Sequence, residues 1–241
     1  MKVLAFDSTA RAASCALVDN GVLLGHYNID NGLTQSELLL PMAEDMLRSL
    51  ELSFDDVDAY AAAVGPGSFT GVRIGVSLVK GLAFGKGKPC IAVSTLEALA
   101  ENISALDGIL LACMDARRAQ VYNAVFSSDG VNMTRLTEDR AISLSDLCEE
   151  IKNHPNRKIY LSGDGYYVAK KFFDNAGIKT ENTPTLLINE SAASVALVAY
   201  KKLLAGETLT DGEISPGYLR LPQAERERLE KQNELKNGEK S

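Results

Sequence analysis

Tryptophan is absent from the 241 residues, histidine occurs twice, and the four cysteines show no pairing pattern. Each scarcity removes a class of function. His26 and His154 are far apart in sequence and form neither an HxxxH nor an HExxH pair, so a zinc hydrolase is excluded on ligand supply and both read as surface or turn residues. Without a histidine beside a serine or cysteine in sequence, no hydrolytic triad can be assembled either. Cys15, Cys90, Cys113 and Cys148 lack CxxC spacing and sit among small or apolar neighbours, which predicts reduced core thiols in a cytoplasmic protein. No apolar run approaches the ~20 residues that span a bilayer, and the first acid falls at Asp7, which argues against a secretory leader. Positive charge is also in deficit. The net charge is −7, and residues 1–106 hold 7 Lys/Arg against 12 Asp/Glu. Because phosphate neutralisation supplies most non-specific affinity for nucleic acid, the chain alone is a poor polynucleotide binder, and contact with RNA is expected only through a complex.

What is present is ordinary globular composition, 46% hydrophobic and 24% charged, with a chain long enough for two domains. Residues 3–30 and 109–142 share one layout. In each, an apolar strand ends at an acid (Asp7, Asp115), a polar turn leads to a second strand, and a hairpin turn (Asn20-Gly21, Asp129-Gly130) opens a third. The matched spacing predicts a duplicated domain. Alternating helices and strands follow each meander. Helices are expected over 35–50, 70–84, 94–103, 144–152, 166–175 and 191–204, with strands over 57–64, 90–93 and 158–161. An antiparallel meander followed by βαβ units is an α/β fold with mixed sheets. Two lobes are expected, 1–106 and 107–222, with a sign-mixed polar tail over 223–241.

The richest stretch is Val64–Gly75, VGPGSFTGVRIG, whose glycines mark backbone meant to be approached closely. Its GxGxxxG spacing without a following Gly-Lys-Ser/Thr is a weak phosphate motif. Gly71, Gly75 and Gly81 fall in the following helix, where each costs about 1 kcal/mol, so a neighbour is expected to pack on that side. Helix 35–50 is apolar over more than one face. A subunit interface is therefore expected on helices 35–50 and 70–84, carried by Leu39, Met42, Met46, Val72, Val76 and Val79. Asp7-Ser8-Thr9 and Asp115 are placed as Mg²⁺ and phosphate ligands would be in a duplicated nucleotide-binding fold, the alternative being strand-ending capping turns. Neither acid is followed by the glycine that phosphate wrapping needs, which argues against autonomous ATP hydrolysis.

Five segments carry a family resemblance: AFDST at 5–9, GPGSFTGVRIG at 65–75, VSTLEALA at 93–100, the DAR…VY pattern at 115–122 and PGYLR at 216–220. Together they closely resemble the bacterial TsaB family, formerly YeaZ, over about residues 1–222. The resemblance implies a duplicated actin-like (ASKHA, RNase H-like) fold. It also implies a non-catalytic accessory subunit that dimerises with its catalytic paralogue TsaD and assembles with the ATPase TsaE. Their joint reaction is threonylcarbamoyl transfer to adenosine 37 of tRNAs reading ANN codons. A homodimer is implied when the subunit is alone. No cofactor of its own is expected; ATP or ADP at the joint surface would touch Gly65, Gly67, Ser68 and Arg73. Gln35 stands where many relatives have histidine. The rival readings are an autonomous actin-like ATP-dependent kinase, supported by the paired acids, and a peptidase, which no constellation supports.

Overall fold

The computed structural model describes residues 1–154 and 156–220, so the expected tail over 223–241 lies outside the described residues. Two sheets form, each opened by an antiparallel meander as the repeat predicts. In the first, β1 (Lys2–Asp7), β2 (Ala13–Asp19) and β3 (Val22–Ile29) are joined by β4 (Ala59–Ala63) and β5 (Cys90–Val93) in the order β3-β2-β1-β4-β5. β1 pairs antiparallel with β2 and parallel with β4, which makes the sheet mixed. In the second, β6 (Gly108–Asp115), β7 (Gln120–Ser128) and the short β8 (Met133–Arg135) repeat the meander, β10 (Ile159–Ser162) adds parallel to β6, and β9 (Arg140–Ser143) pairs with β7. The Asp7 and Asp115 ends of β1 and β6 are equivalent, as the duplication requires.

Helices cover both faces of both sheets. α1 (Gln35–Ser49) and α2 (Phe69–Ala83) pack on one face of the first sheet over Leu4, Phe6, Leu17 and Tyr60, while α6 (Ala192–Leu204) packs on the other over Val3, Ala5, Ala59 and Ala61. The alternation along β1 sends Leu4 and Phe6 one way and Val3 and Ala5 the other. The alanine run of β4 meets Ala192, Ala196 and Ala199 of α6, and small side chains on both surfaces bring helix and sheet close. α4 (Leu144–Ile151) and α5 (Tyr166–Asn175) cover one face of the second sheet, and α3 (Thr95–Asn102) the other through Leu96, Leu99 and Ala100.

That exchange corrects the expected lobe boundary. The last helix of each half lies on the other half's sheet, so residues 1–106 and 107–222 are sequence repeats but not separate packing units. Beyond α6 the described chain returns to the first sheet, where Leu209 bridges Cys90 and the Gly217 amide donates to the Val64 carbonyl at 2.7 Å, before Arg220 reaches Gln120 of the second.

Helix starts follow their sequence signals. Thr34 and Glu37 form a reciprocal capping box on α1, and the Ser94 and Ser143 hydroxyls accept the Glu97 and Asp146 amides at the starts of α3 and α4.

Candidate functional site

The glycine-rich loop after β4 is approached closely, but from within the chain. A Cβ at Gly67 would stand 2.5 Å from the Thr9 carbonyl oxygen, one at Gly71 would overlap the Ser8 carbonyl, and one at Gly65 would stand 2.8 Å from the Gly217 carbonyl. The Ser68 amide donates to the Thr9 carbonyl at 2.6 Å, and the Ser8 hydroxyl donates to the Gly71 carbonyl at 2.8 Å. These glycines therefore let the 65–75 segment lie flat on the β1–β2 turn. Gly65 and Gly67 also hold φ of +116° and +158°, so at Gly65 backbone conformation adds to close approach.

The four residues expected around an interface nucleotide are not brought together. Gly67 and Ser68 line a cleft between the two sheets, Gly65 is buried beneath Gly217, and Arg73 lies on the outer surface of α2. There the Arg73 guanidinium sits 3.8 Å from the centre of the Phe69 ring, and its Nε donates to the Tyr218 hydroxyl at 2.7 Å. Tyr218 in turn stacks on Phe69 at 4.9 Å. The PGYLR segment is thereby tied to the start of α2.

A second correction concerns the helical interface. Leu39, Met42, Met46, Val72, Val76 and Val79 are all buried in the core of the first sheet, none above 5% exposed. The reason is geometric. α1 and α2 rest directly on the sheet, and the apolar stripe that periodicity finds first on each helix is the one facing it. The broad apolarity of both helices leaves a second, outer stripe. Leu40, Phe69, Ile74 and Leu78 line an open groove of about 440 Å³ between α1 and α2, with Ser36, Thr70, Arg73 and Ser77; of the six expected residues only the buried Leu39 also borders it. Leu40 is 36% exposed, and Phe69, Ile74 and Leu78 are partly so.

The inter-sheet cleft encloses about 780 Å³ and is lined by Thr9, Arg11, Thr34, Gln35, Ser68, Met114, Asp115, Arg117, Tyr122 and Asp164, among others. Gln35 donates from its amide to the Ala10 and Arg11 carbonyls at 3.0 and 3.3 Å, fixing the start of α1 to the β1–β2 turn. Asp7 lies beneath. One of its oxygens accepts from the Thr9 amide at 2.9 Å and the Thr9 hydroxyl at 2.6 Å, and the other is buried without a partner. Burial raises its pKa against the lowering effect of those bonds. Sequence reasoning paired Asp7 with Asp115 but missed Glu190. Glu190 is buried just before α6 and accepts weakly from the Asp164 amide at 3.4 Å; burial, then the charges of Asp7 and Asp164, push its carboxyl up to about 8. Only the fold could reveal it, because Asp7 and Glu190 are joined through the α6 exchange. Among the described residues, no group of three or more His, Cys, Asp or Glu side chains is placed to hold a metal ion.

His26 is exposed, as expected of a surface residue, but a serine does stand beside it. His26 Nε2 lies 3.0 Å from the Ser14 hydroxyl oxygen. Ser14 is nonetheless buried, accepts the Ala192 amide at 3.0 Å and reaches the Tyr27 carbonyl at 3.2 Å, so its oxygen serves the N-terminus of α6.

Compared with known proteins, the chain is 30% identical over 222 residues to the tRNA threonylcarbamoyladenosine biosynthesis protein TsaB of Escherichia coli K12, covering 91% of this chain and 95% of that one. The chain belongs to the TsaB family. The Bacillus subtilis TsaB is 29% identical over 96% of this chain and its own full length. A family model described as TsaD, tRNA N6-adenosine threonylcarbamoyltransferase, matches residues 34–228. The solved structure of YeaZ from Pseudomonas aeruginosa superposes with a TM-score of 0.71 at 26% identity, covering 90% of this chain and 99% of that one. A second Pseudomonas aeruginosa structure, described as similar to the peptidase YeaZ, gives 0.74 at 25% identity over 91% of this chain and 99% of its own. The duplicated α/β fold with two mixed sheets expected of a TsaB member is the fold observed, and the YeaZ structures superpose on it over most of the chain. Among the described residues, no helix is long and apolar enough to cross a membrane.

Proposed function

We propose that this chain is a non-catalytic accessory subunit in threonylcarbamoyladenosine formation on tRNA, docking its catalytic TsaD-like paralogue through the outer groove between α1 and α2. The observation that carries the reading is the groove itself. Leu40, Phe69, Ile74 and Leu78 line an apolar trough on a chain whose core is already complete beneath it, and an apolar surface in excess of core needs is the usual mark of a protein contact. Phe69, Arg73 and Tyr218 form an aromatic and cationic cluster at its edge, residue types that carry binding energy at interfaces. The match of most of the chain to a transferase family model supports a paralogous partner, since duplicated relatives reuse equivalent surfaces. TsaE would join this pair, and any adenine nucleotide would belong to the joint surface.

The accessory role is supported by what the cleft offers chemically. Asp7 commits one oxygen to Thr9, the glycine loop commits its backbone to the Ser8–Thr9 turn, and the carboxylates of Asp115 and Asp164 repel a triphosphate from the inner cleft, whose arginines, Arg11 and Arg117, stand exposed. The deciding experiment is reconstitution of threonylcarbamoyl transfer with and without the chain, and with Ile74→Glu and Leu78→Glu. Transfer should require the chain, and both variants should fold yet fail to assemble. Full transfer without the chain would refute the reading.

A further inference from the structure

We propose that the Arg117–Arg118 tip of the β6–β7 turn, at the mouth of the inter-sheet cleft, contacts the phosphate backbone of the tRNA. This inference rests on the proposed role in tRNA modification and adds to it a direct RNA contact by this subunit.

The backbone supplies the first observation. Arg117, Arg118 and Ala119 hold φ of +67°, +55° and +55°, a run of three left-handed residues with no glycine or asparagine among them. Side chains with a Cβ adopt this conformation only at a cost, and such strain collects at functional positions. The turn is pinned around the strain: Asp115 accepts the Arg117 amide at 2.8 Å, the Gln120 amide donates to the Arg117 carbonyl at 3.1 Å, and the Leu144 amide donates to the Ala119 carbonyl at 3.1 Å. The result is a rigid tip carrying two arginine heads outward.

Charge supplies the second. On a chain of net charge −7, the Arg117 side chain is 87% exposed and held only by a 3.8 Å contact with Asp115, while exposed Arg118 makes no ion pair among the described residues. Arg11 lines the same cleft with its side chain 81% exposed, paired to Asp30 at 2.9 Å. Arg140 and Arg135, by contrast, are committed within the fold, to Glu150 and Asp139. An exposed, preorganised guanidinium fits phosphate bidentately.

The cleft supplies the third. Behind the tip, Tyr122 lines the cavity, with the Arg220 guanidinium 5.5 Å from its ring centre and 2.6 Å from Gln120 Oε1. The hydroxyl and amide groups of Thr9, Thr34 and Gln35 in the cleft suit the edge of an unstacked base, and the carboxylates of Asp115 and Asp164 keep phosphates at the rim. Single-stranded RNA, with phosphate and base alternating, matches that arrangement better than an acidic peptide does.

The test uses the assembled complex of this chain with its transferase partner and unmodified tRNA bearing an ANN anticodon, with Kd measured between 50 and 200 mM KCl. The variants are Arg117→Gly/Arg118→Gly, which suit the left-handed backbone and so do not threaten folding, and Arg117→Lys/Arg118→Lys, which keep the charge. The glycine pair should weaken tRNA binding at least about fivefold and reduce the slope of log K against log salt by roughly 0.7–0.9 for each phosphate no longer neutralised, while the lysine pair retains most of both. Assembly, followed by sedimentation, should not change. Unchanged Kd and salt slope in the glycine pair would overturn the proposal, as would a loss of ADP binding with tRNA binding intact, which would assign the tip to a free nucleotide. Failure of the parent reading is separable, because then the wild-type complex would transfer equally well without this chain.

Discussion

Two glycines on the same helix should respond oppositely to alanine. Gly71 and Gly81 both lie in α2, and helix propensity alone would favour alanine at each by about 1 kcal/mol. At Gly81 a Cβ meets nothing within 4 Å, so Gly81→Ala should keep most of that gain, about 0.5–1 kcal/mol, and raise Tm by about 1–4 °C for a chain of this size. At Gly71 the Cβ would overlap the Ser8 backbone carbonyl, far inside the 3.0 Å that real Cβ atoms keep. Neither backbone can yield cheaply, since Ser8 follows a central strand of the first sheet and Gly71 begins a helix seated on it. Relieving the overlap means moving α2 off the β1–β2 turn, which breaks the 2.8 Å bond from the Ser8 hydroxyl to the Gly71 carbonyl and the 2.6 Å bond from the Ser68 amide to the Thr9 carbonyl. At about 1 kcal/mol for each broken bond, plus about 1–3 kcal/mol of overpacking, the net cost of Gly71→Ala is about 2–4 kcal/mol after the propensity gain. Urea unfolding followed by circular dichroism resolves differences of that size. If the two variants shifted the midpoint in the same direction, the assignment of the glycine motif to internal packing would be wrong.

The same logic separates core from docking surface. Leu39→Ala and Val79→Ala should each destabilise the chain, by about 2–4 kcal/mol for the leucine and somewhat less for the valine, whereas Ile74→Glu, at a partly exposed position, should lower Tm less than Leu39→Ala and abolish partner binding in calorimetry. Glu190 gives a pH signature. Its carboxyl titrates near 8 in the folded chain against 4.5 ordinarily, so the folded state holds the proton more tightly, and stability should fall as pH rises from about 4.5 to about 8. Glu190→Gln should flatten that decline in thermal melts across pH 5–9, and an unchanged slope would refute the assignment. Burial pushes the Cys15 and Cys113 thiols up to about 12, so neither should react with a thiol reagent at pH 8 until denaturant is added. Removing the reciprocal cap with Thr34→Ala should cost about 1 kcal/mol in the same urea assay.

What the sequence revealed and what it hid divide along one physical line. Patterns that are local in the chain were readable: the matched hairpin turns announced the duplication, and Tyr166–Asn175 and Cys90–Val93 fall where periodicity puts them. Contacts between distant segments were not. The six interface residues named from apolar periodicity turned out to be core because a helix that is apolar on two faces gives no sign of which one meets the sheet. The sheet takes the face rich in small and branched side chains, Gly71, Val72, Gly75, Val76 and Val79, and leaves Phe69, Ile74 and Leu78 only partly covered along the groove. A usable signal was present nonetheless. Glycines spaced to admit a backbone mark the inward face, so in α2 the glycine stripe at 71 and 75 already pointed to the β1–β2 turn, and the groove-lining face is the other one. Glu190 carried no such signal, because its burial depends on α6 crossing to the other half's sheet. That exchange also explains why the two sheets form one packing unit: each half lacks a cover for one sheet face until the other half supplies it, α3 for the second sheet and α6 for the first, so neither half can be removed without baring an apolar face of the other.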